Sequence, residues 1–143
     1  MLEVKGMKFP LDRKYYTKDG AHIWLKSEDD IVKVGMDAFA VEMAGLLTYL
    51  TVTGKQTEGG EAVGSFESAK FVSRFYSPIS GQIVDINEEV IKNPRKINDD
   101  PYNSWIFAIK PNPVEYNKKY ILDKEEDIKK WISEELKRVE EDE

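Results

Sequence analysis

Short runs of apolar and β-branched residues, each followed by a turn residue, dominate the chain from residue 21 onward. Runs of about four to eight residues that are rich in Val, Ile, Phe and Tyr and bounded by Gly or Pro are typical of strands. They predict strands over 21–26, 30–34, 46–52, 62–67, 71–74, 82–86 and 105–110. Many short strands with frequent turns favour a barrel or a sandwich over a parallel α/β sheet.

Two short helices are predicted between the strands. The segment 36–44 has Asp37 as a candidate N-cap and Gly45 as a residue that ends a helix. Further along, Asn87 can cap a brief helical turn, which must end before Pro94 because proline restricts the residue before it. The mainly β pattern therefore includes short helical insertions.

The two ends of the chain differ in pattern. Residues 1–14 show no periodicity and are predicted to form an irregular extension. The segment 123–140 is predicted to be an amphipathic helix that starts at Asp123 as its cap, with Glu126 in capping-box position. Its apolar stripe consists of Ile128, Trp131, Ile132, Leu136 and Val139. We expect this stripe to pack on the strands, while an acidic docking surface for a partner is the alternative.

The size and composition of the chain indicate its general class. Its 143 residues, 41% of them hydrophobic, favour one globular domain over 1–143. A net charge of −6 argues against a general nucleic-acid binder, which needs a basic surface. Charged residues make up 34% of the chain and are mostly Lys and Glu, which fits a thermophilic source.

Several chemistries have no support in the sequence. The chain has no Cys, so disulfides, thiolate nucleophiles and Cys-ligated metals are excluded. We find no metal-ligand spacing, no Ser-His-Asp set and no phosphate-binding loop. No apolar run is long enough to span a membrane, and the first ten residues lack a signal-peptide core. A cytoplasmic protein without a membrane partner is the expectation.

One lysine occupies a distinctive position between two predicted strands. One strand ends at Glu67 or Ser68 and the next begins at Phe71, so Ala69 and Lys70 form the tip of a hairpin. A lysine at such a tip projects into solvent from a rigid support, where a modifying enzyme can reach it. Taken alone, a lysine in a turn is usually only a solvated charge.

The residues around this lysine carry a family resemblance. They are Glu67-Ser68-Ala69-Lys70, Val72-Ser73 and Ser77-Pro78-Ile79-Ser80-Gly81. This segment resembles the lipoylation segment of the glycine cleavage system H protein family, which typically shows Glu-Ser-Val-Lys, then a Ser, then a Ser-Pro-x-Ser-Gly turn. Further matching segments are Tyr16-Thr17, His22-Ile23-Trp24, Val34-Gly35-Met36 and Ile97-Asn98-Asp99-Asp100-Pro101-Tyr102 with Trp105.

The resemblance implies both a fold and a function. The fold is a flattened β barrel or sandwich hybrid of the lipoyl and biotinyl carrier type, with short helices. Lys70 would bear covalently attached lipoate, and Glu67 and Ser68 would belong to the modification motif. The implied partners are a lipoate-attaching enzyme, glycine decarboxylase, aminomethyltransferase and dihydrolipoamide dehydrogenase. The chain itself would be a non-catalytic carrier and a monomer, with the chemistry supplied by the cofactor.

The residues implied to line the cleft for the arm depart from the family. These positions are His22, Ile23 and Arg74; Ile23 replaces a Glu and Arg74 replaces an Asp of the family. Such a lining should favour an anion over the aminomethyl cation. An alternative is therefore an H-like lipoate carrier of a sulfur-oxidation pathway, with the equivalent partner enzymes. The simpler explanation is that Arg74 pairs with a surface carboxylate.

Three further alternatives concern the lysine and the histidine. Biotin carriers flank their lysine with Met, whereas Ala69 and Phe71 stand here, so biotin is disfavoured. An unmodified binding module would not need the intact motif residues. His22 could act as a base, but the resemblance places it in a packing motif with Trp24, and the sequence offers no orienting acid.

Overall fold

Strands provide most of the regular structure in a computed structural model that describes residues 1–112 and 119–141. The strands are β1 (Leu2–Val4), β2 (Met7–Phe9), β3 (Lys14–Tyr16), β4 (Ile23–Glu28), β5 (Ile31–Met36), β6 (Leu47–Val52), β7 (Gln56–Thr57), β8 (Ala62–Ser68), β9 (Val72–Tyr76), β10 (Gly81–Ile86), β11 (Phe107–Pro111) and β12 (Ile121–Leu122). The helices are α1 (Ala38–Ala44), α2 (Glu88–Lys92), α3 (Arg95–Asp99) and α4 (Glu125–Glu141), with a 3-10 turn at Lys18–Gly20.

Two antiparallel sheets enclose the main core. A curled seven-stranded sheet has the order β12-β3-β4-β5-β11-β10-β7, and a three-stranded sheet has the order β6-β8-β9. Buried side chains from both sheets belong to one apolar cluster. Phe75 of β9, for example, meets Phe107 of β11 edge to face, with ring centroids 5.9 Å apart. The predicted mainly β fold, a flattened barrel or sandwich, is confirmed.

All seven predicted strands are present, with shifted ends. They correspond to β4, β5, β6, β8, β9, β10 and β11. The strands that were not predicted have only two or three residues, which is too short for a recognisable alternation. The prediction of an irregular segment over 1–14 is wrong, since β1 and β2 pair as a hairpin and β3 begins at Lys14. Leu2 and Phe9 of this hairpin are buried against α4, so tertiary packing holds it.

The predicted caps of the internal helices are only partly confirmed. Asp37 caps α1 by accepting a hydrogen bond from the Ala40 N–H at 2.9 Å, and Gly45 ends the helix with a φ of 77°. Asn87 occupies the cap position of α2, but its amide donates to the Trp105 carbonyl at 2.8 Å instead of capping the helix.

The C-terminal helix begins one residue later than the predicted cap implies. The Ile128 N–H donates to the Lys124 carbonyl at 3.0 Å, so Lys124 and not Asp123 precedes the first helical residue. The predicted stripe is confirmed: Ile128 and Ile132 are buried in a second core, and the other stripe residues pack against it. Within the described residues, no helix is long and apolar enough to cross a membrane.

Candidate functional site

Lys70 lies at the tip of the hairpin formed by β8 and β9, as the sequence predicts. The Ser68 N–H donates to the Phe71 carbonyl at 3.0 Å, which closes the hairpin around Ala69 and Lys70. The Ser68 hydroxyl oxygen also accepts from the backbone N–H groups of Lys70 at 3.2 Å and Phe71 at 3.4 Å. Such side-chain bonds to nearby backbone stabilise tight turns. Ser68 therefore fixes the backbone that carries Lys70.

The side chain of Lys70 is exposed and runs over the end of α1. A Cβ atom added to Gly45 would lie 3.6 Å from Cε of Lys70, which is an ordinary van der Waals distance. The aliphatic part of the lysine thus rests on a glycine surface, while Lys70 as a whole is solvent-accessible. The geometry suits a lysine that must be reached by another protein.

Glu67 lies on the outer face of the three-stranded sheet. The strand register places it between Tyr49 of β6 and Val72 of β9. Glu67 is exposed, and in the described part of the chain no Lys or Arg side chain forms an ion pair with it. Its carboxylate is therefore available to a partner.

A cleft of about 380 Å³ lies next to the hairpin, along β9. Phe71, Ser73 and Phe75 line it from the hairpin and β9, and Met43 lines it from α1. The opposite wall includes the 3-10 turn Lys18–Gly20. Because the wall residues are largely apolar, the cleft can shelter a flexible aliphatic chain from water.

The three residues predicted for the arm cleft, His22, Ile23 and Arg74, all line this cavity. Ile23 is 5% exposed and belongs mainly to the core, so its side chain contributes little surface. Arg74 is exposed, and within residues 1–112 and 119–141 no carboxylate forms an ion pair with it. The idea that Arg74 pairs with a surface carboxylate finds no support there.

Sequence reasoning missed Arg138 of α4, which also lines the cleft. Its guanidinium forms an ion pair with Glu135, with Nη2 and Oε2 2.6 Å apart. Lys18 and Asp19 are the other charged side chains in the described lining, besides Arg74. The one acidic residue among these lining residues, Asp19, is therefore outnumbered by cationic groups.

His22 is buried between two aromatic rings and two carboxylates. Its ring stacks on Phe39 at 4.2 Å and on Trp131 at 4.3 Å between centroids. Nδ1 lies 3.1 Å from Oδ2 of Asp37 in a hydrogen bond. Nε2 lies 3.4 Å from Oε1 of Glu135, which is an ion-pair distance but not a hydrogen bond. Phe39 and Trp131, the two rings that stack on His22, belong to the same core as Trp24, so the predicted packing of His22 with Trp24 stays a prediction.

These surroundings shift two pKa values. Burial lowers the pKa of His22 and is the largest single effect, but the charge and hydrogen bond of Asp37 and the close carboxylate of Glu135 together outweigh it, so the pKa of His22 is raised. The His22 contact is the main reason that the pKa of Glu135 falls to about 2, and Arg138 contributes in the same direction. The two carboxylates that favour the protonated form of His22 also link it to the start of α1 and to α4.

The orienting acids of His22 had a weak signal in the sequence. Asp37 was recognised as a helix cap, but its second oxygen reaches His22 only because β5 leads directly into α1. Glu135 follows Trp131 by four residues, so the two lie on one face of α4. Among the described residues, no group of three or more His, Asp or Glu side chains could hold a metal ion.

The fold and the exposed hairpin lysine together define a carrier domain of the lipoyl type. The sequence profile of the family described as glycine cleavage H-protein matches residues 14–135, and the chain belongs to this family. Both conclusions agree with the motif around Lys70.

Individual relatives support the same assignment. The chain is 41% identical over 128 residues to the probable glycine cleavage system H protein of Pyrococcus abyssi, covering 87% of this chain and 93% of that protein. It is 40% identical over 111 residues to the probable H protein 3 of Sulfurisphaera tokodaii, covering 76% and 80%. Such relatives fit the predicted thermophilic source.

A solved structure shows the same fold. The crystal structure of a glycine cleavage system H protein from Mycobacterium marinum superposes with a TM-score of 0.67 at 35% identity, covering 75% of this chain and 89% of that one. The names of these three proteins refer to glycine cleavage and none refers to sulfur oxidation, so the comparisons do not favour the sulfur alternative.

Proposed function

We propose that this protein is the lipoyl carrier of a glycine cleavage system, with lipoate joined to Nζ of Lys70 by an amide bond. The observation that carries the proposal is the exposed Lys70 at a tip closed by Ser68. The residues present fit the group: the lysine stem has room over Gly45, and the adjacent cleft has apolar walls. The bound group would supply dithiol and disulfide chemistry and a site for covalent cargo.

The protein's own residues would position and shelter the arm. Ser68 would hold the base of the arm in place, while Phe71 and Phe75 would exclude water from the cleft. We assign no catalytic step to the chain itself. A single domain over 1–143 that acts as a monomer fits this role, because a carrier must present the same lysine to several enzymes in turn.

The partners follow from the carrier role. A lipoate-attaching enzyme would modify Lys70, and glycine decarboxylase, aminomethyltransferase and dihydrolipoamide dehydrogenase would then act on the far end of the arm. Tethering the reactive group raises its effective concentration at each partner site. The carrier function needs an exposed anchor and a fixed turn, both of which this hairpin offers.

The direct test is the mass of the peptide that contains Lys70. Protein produced in cells with active lipoylation should carry one lipoyl increment on that peptide, and Lys70→Arg should carry none. Lys55→Arg is a matched control, because Lys55 is also exposed in a turn between strands and its loss should leave the modification intact. Modification of another lysine, or a bare Lys70, would refute the proposal.

The second test is aminomethyl transfer. The lipoylated protein should accept the aminomethyl group from glycine in the presence of glycine decarboxylase and pass it to aminomethyltransferase, and the Lys70→Arg protein should do neither. If the lipoylated protein is inactive with both enzymes, the arm is present but does not serve glycine cleavage.

A further inference from the structure

The outer face of the three-stranded sheet carries unusually apolar side chains beside Lys70. Val72 of β9 is 68% exposed and Tyr49 of β6 is 51% exposed. The register places Tyr49, Glu67 and Val72 in one row across the sheet. The solvated face of an antiparallel sheet normally presents polar residues. Two large exposed apolar side chains on such a face therefore need an explanation.

This apolar surface is continuous with the hairpin tip. Val72 stands two residues after Lys70, and Leu46, which is 51% exposed, directly precedes the residue that pairs with Ser68. We call Leu46, Tyr49 and Val72 the tip patch. Side chains in adjacent rows on one face of a sheet are close enough together for a single partner protein to contact all of them. A protein that reaches Lys70 thus covers the tip patch as well.

We propose that the tip patch is the docking surface for the enzyme that attaches lipoate to Lys70; this inference rests on the proposed carrier function. Attachment is the one step whose new bond forms on Nζ, at the end of a four-carbon stem. The active site of the attaching enzyme must therefore close on the hairpin itself. For the other proposed partners, the reacting atoms lie at the far end of the arm, several bonds beyond Nζ.

The charge at the centre of the row adds a second requirement for the partner. The Glu67 carboxylate stands between Tyr49 and Val72 without an ion pair among the described residues. A docking enzyme that covers both apolar side chains would remove Glu67 from water and must offer it a cation or N–H donors. The surface therefore fits an enzyme with an apolar rim and a basic group at the entrance of its active site.

The reaction at this surface is an acyl transfer with no redox change. The neutral Nζ of Lys70 attacks the carbonyl carbon of lipoate activated as a mixed anhydride with adenosine monophosphate, which the enzyme forms from lipoate and ATP with release of pyrophosphate. The amide C–N bond forms and the C–O bond to phosphate breaks. The nucleoside monophosphate leaves, and Nζ releases a proton to solvent.

The test measures lipoate attachment to the unmodified full-length chain by a purified lipoate-attaching enzyme with ATP and lipoate. Val72→Asp and Tyr49→Ser should each raise the KM for the chain about tenfold, with a smaller change in kcat, because they weaken docking and leave Lys70 in place. Val84→Asp is the matched control, because Val84 is a strand valine that is 48% exposed on β10 of the other sheet. The KM of the attaching enzyme for this variant should equal that for the wild-type chain.

Folding and function can be separated in this experiment. Val72→Thr keeps a β-branched side chain, and it should still raise the KM about threefold even if Val72→Asp disturbs the hairpin. Wild-type KM values for Tyr49→Ser and Val72→Thr, with normal modification of the wild-type chain, would overturn the docking surface and leave the carrier function standing. A wild-type chain that is never modified at Lys70 would overturn both. Variants that are modified normally but fail with glycine decarboxylase would assign the tip patch to that later partner.

Discussion

Trp131 of the C-terminal helix stacks on His22 of the barrel, with ring centroids 4.3 Å apart and ring planes inclined by 16°. Glu135, one turn further along the helix, reaches the other edge of the same imidazole at 3.4 Å. The helix therefore contacts His22 through both an aromatic face and a carboxylate. Arg138 follows on the same side of the helix and lines the cleft, so the docking of α4 also completes the cleft wall.

The pKa of His22 should be higher than the ordinary value for histidine, because the carboxylates of Asp37 and Glu135 outweigh the effect of burial. It is the one histidine of the sequence, so a single NMR signal reports its protonation. Asp37→Asn should lower the pKa of His22, because burial persists while a neighbouring negative charge is lost. Glu134→Gln changes an exposed acid on the same helix and should leave the titration unchanged. A titration that Asp37→Asn does not move would contradict the proposed charge pairing.

The stability that His22 contributes should depend on pH in two directions. The pKa of His22 is raised in the folded state, so its contribution is complete below the unfolded value of 6.5 and declines as the pH rises through the folded pKa. The pKa of Glu135 is lowered to about 2, so its contribution is complete above the unfolded value of 4.5 and declines as the pH falls towards about 2.

Urea unfolding at a series of pH values checks this expectation. The difference in unfolding free energy between the wild type and His22→Gln should be largest between pH 4.5 and 6.5 and should shrink on both sides. If this difference in unfolding free energy stays constant from about pH 3 to about pH 9, His22 acts by packing alone.

Gly35→Ala should destabilise the protein because Gly35 lies directly beneath the indole of Trp24. A Cβ at this position would come within 2.5 Å of Cζ2 of that buried ring. Forcing a methyl group into a packed core costs about 1–3 kcal/mol. Gly59→Ala is the control, because its Cβ would lie 3.5 Å from the nearest atom and its φ is not in the left-handed region. Thermal unfolding should therefore separate the two variants.

Two arginines should respond very differently to replacement by glutamine. Arg13 is buried, donates to the Tyr102 carbonyl at 2.9 Å and lies over the ring of Trp24 at 4.7 Å from its centroid. Arg13→Gln should cost about 2 kcal/mol or more, because the packing and a charged hydrogen bond are lost together. Arg74→Gln should change the unfolding free energy by less than about 0.5 kcal/mol. Equal losses for both variants in urea unfolding would contradict this difference.

The position of Lys70 at a hairpin tip could be predicted because it depends on local sequence. Ser68 and Phe71 mark the ends of two strands with strong β patterns, and only two residues remain between them. The turn itself, with Ser68 bonding to the backbone of Lys70, needs no distant residue. Motifs of this kind are accessible to sequence reasoning since their geometry is set within a few residues.

The surroundings of His22 could not be predicted in the same way. Asp37 is 15 residues away along the chain and Glu135 is more than a hundred away, and both reach the imidazole only through tertiary packing. The short strands β1, β2 and β12 could not be predicted for a related reason. Their stability comes from the sheet or helix that they join, and not from their own sequence pattern. The cleft wall formed by Arg138 depends on the same long-range packing.

The stiffness of the turn at Lys70 would have a consequence for the whole multienzyme cycle of the proposed carrier. Since Ser68 holds the backbone N–H groups of Lys70 and Phe71, the base of the proposed arm would be a fixed point on the barrel. The far end of such an arm would sweep only part of a sphere centred on Lys70. Each proposed partner would have to bring its reacting atoms to that shell, so one common radius would limit the depth of every active site along the cycle.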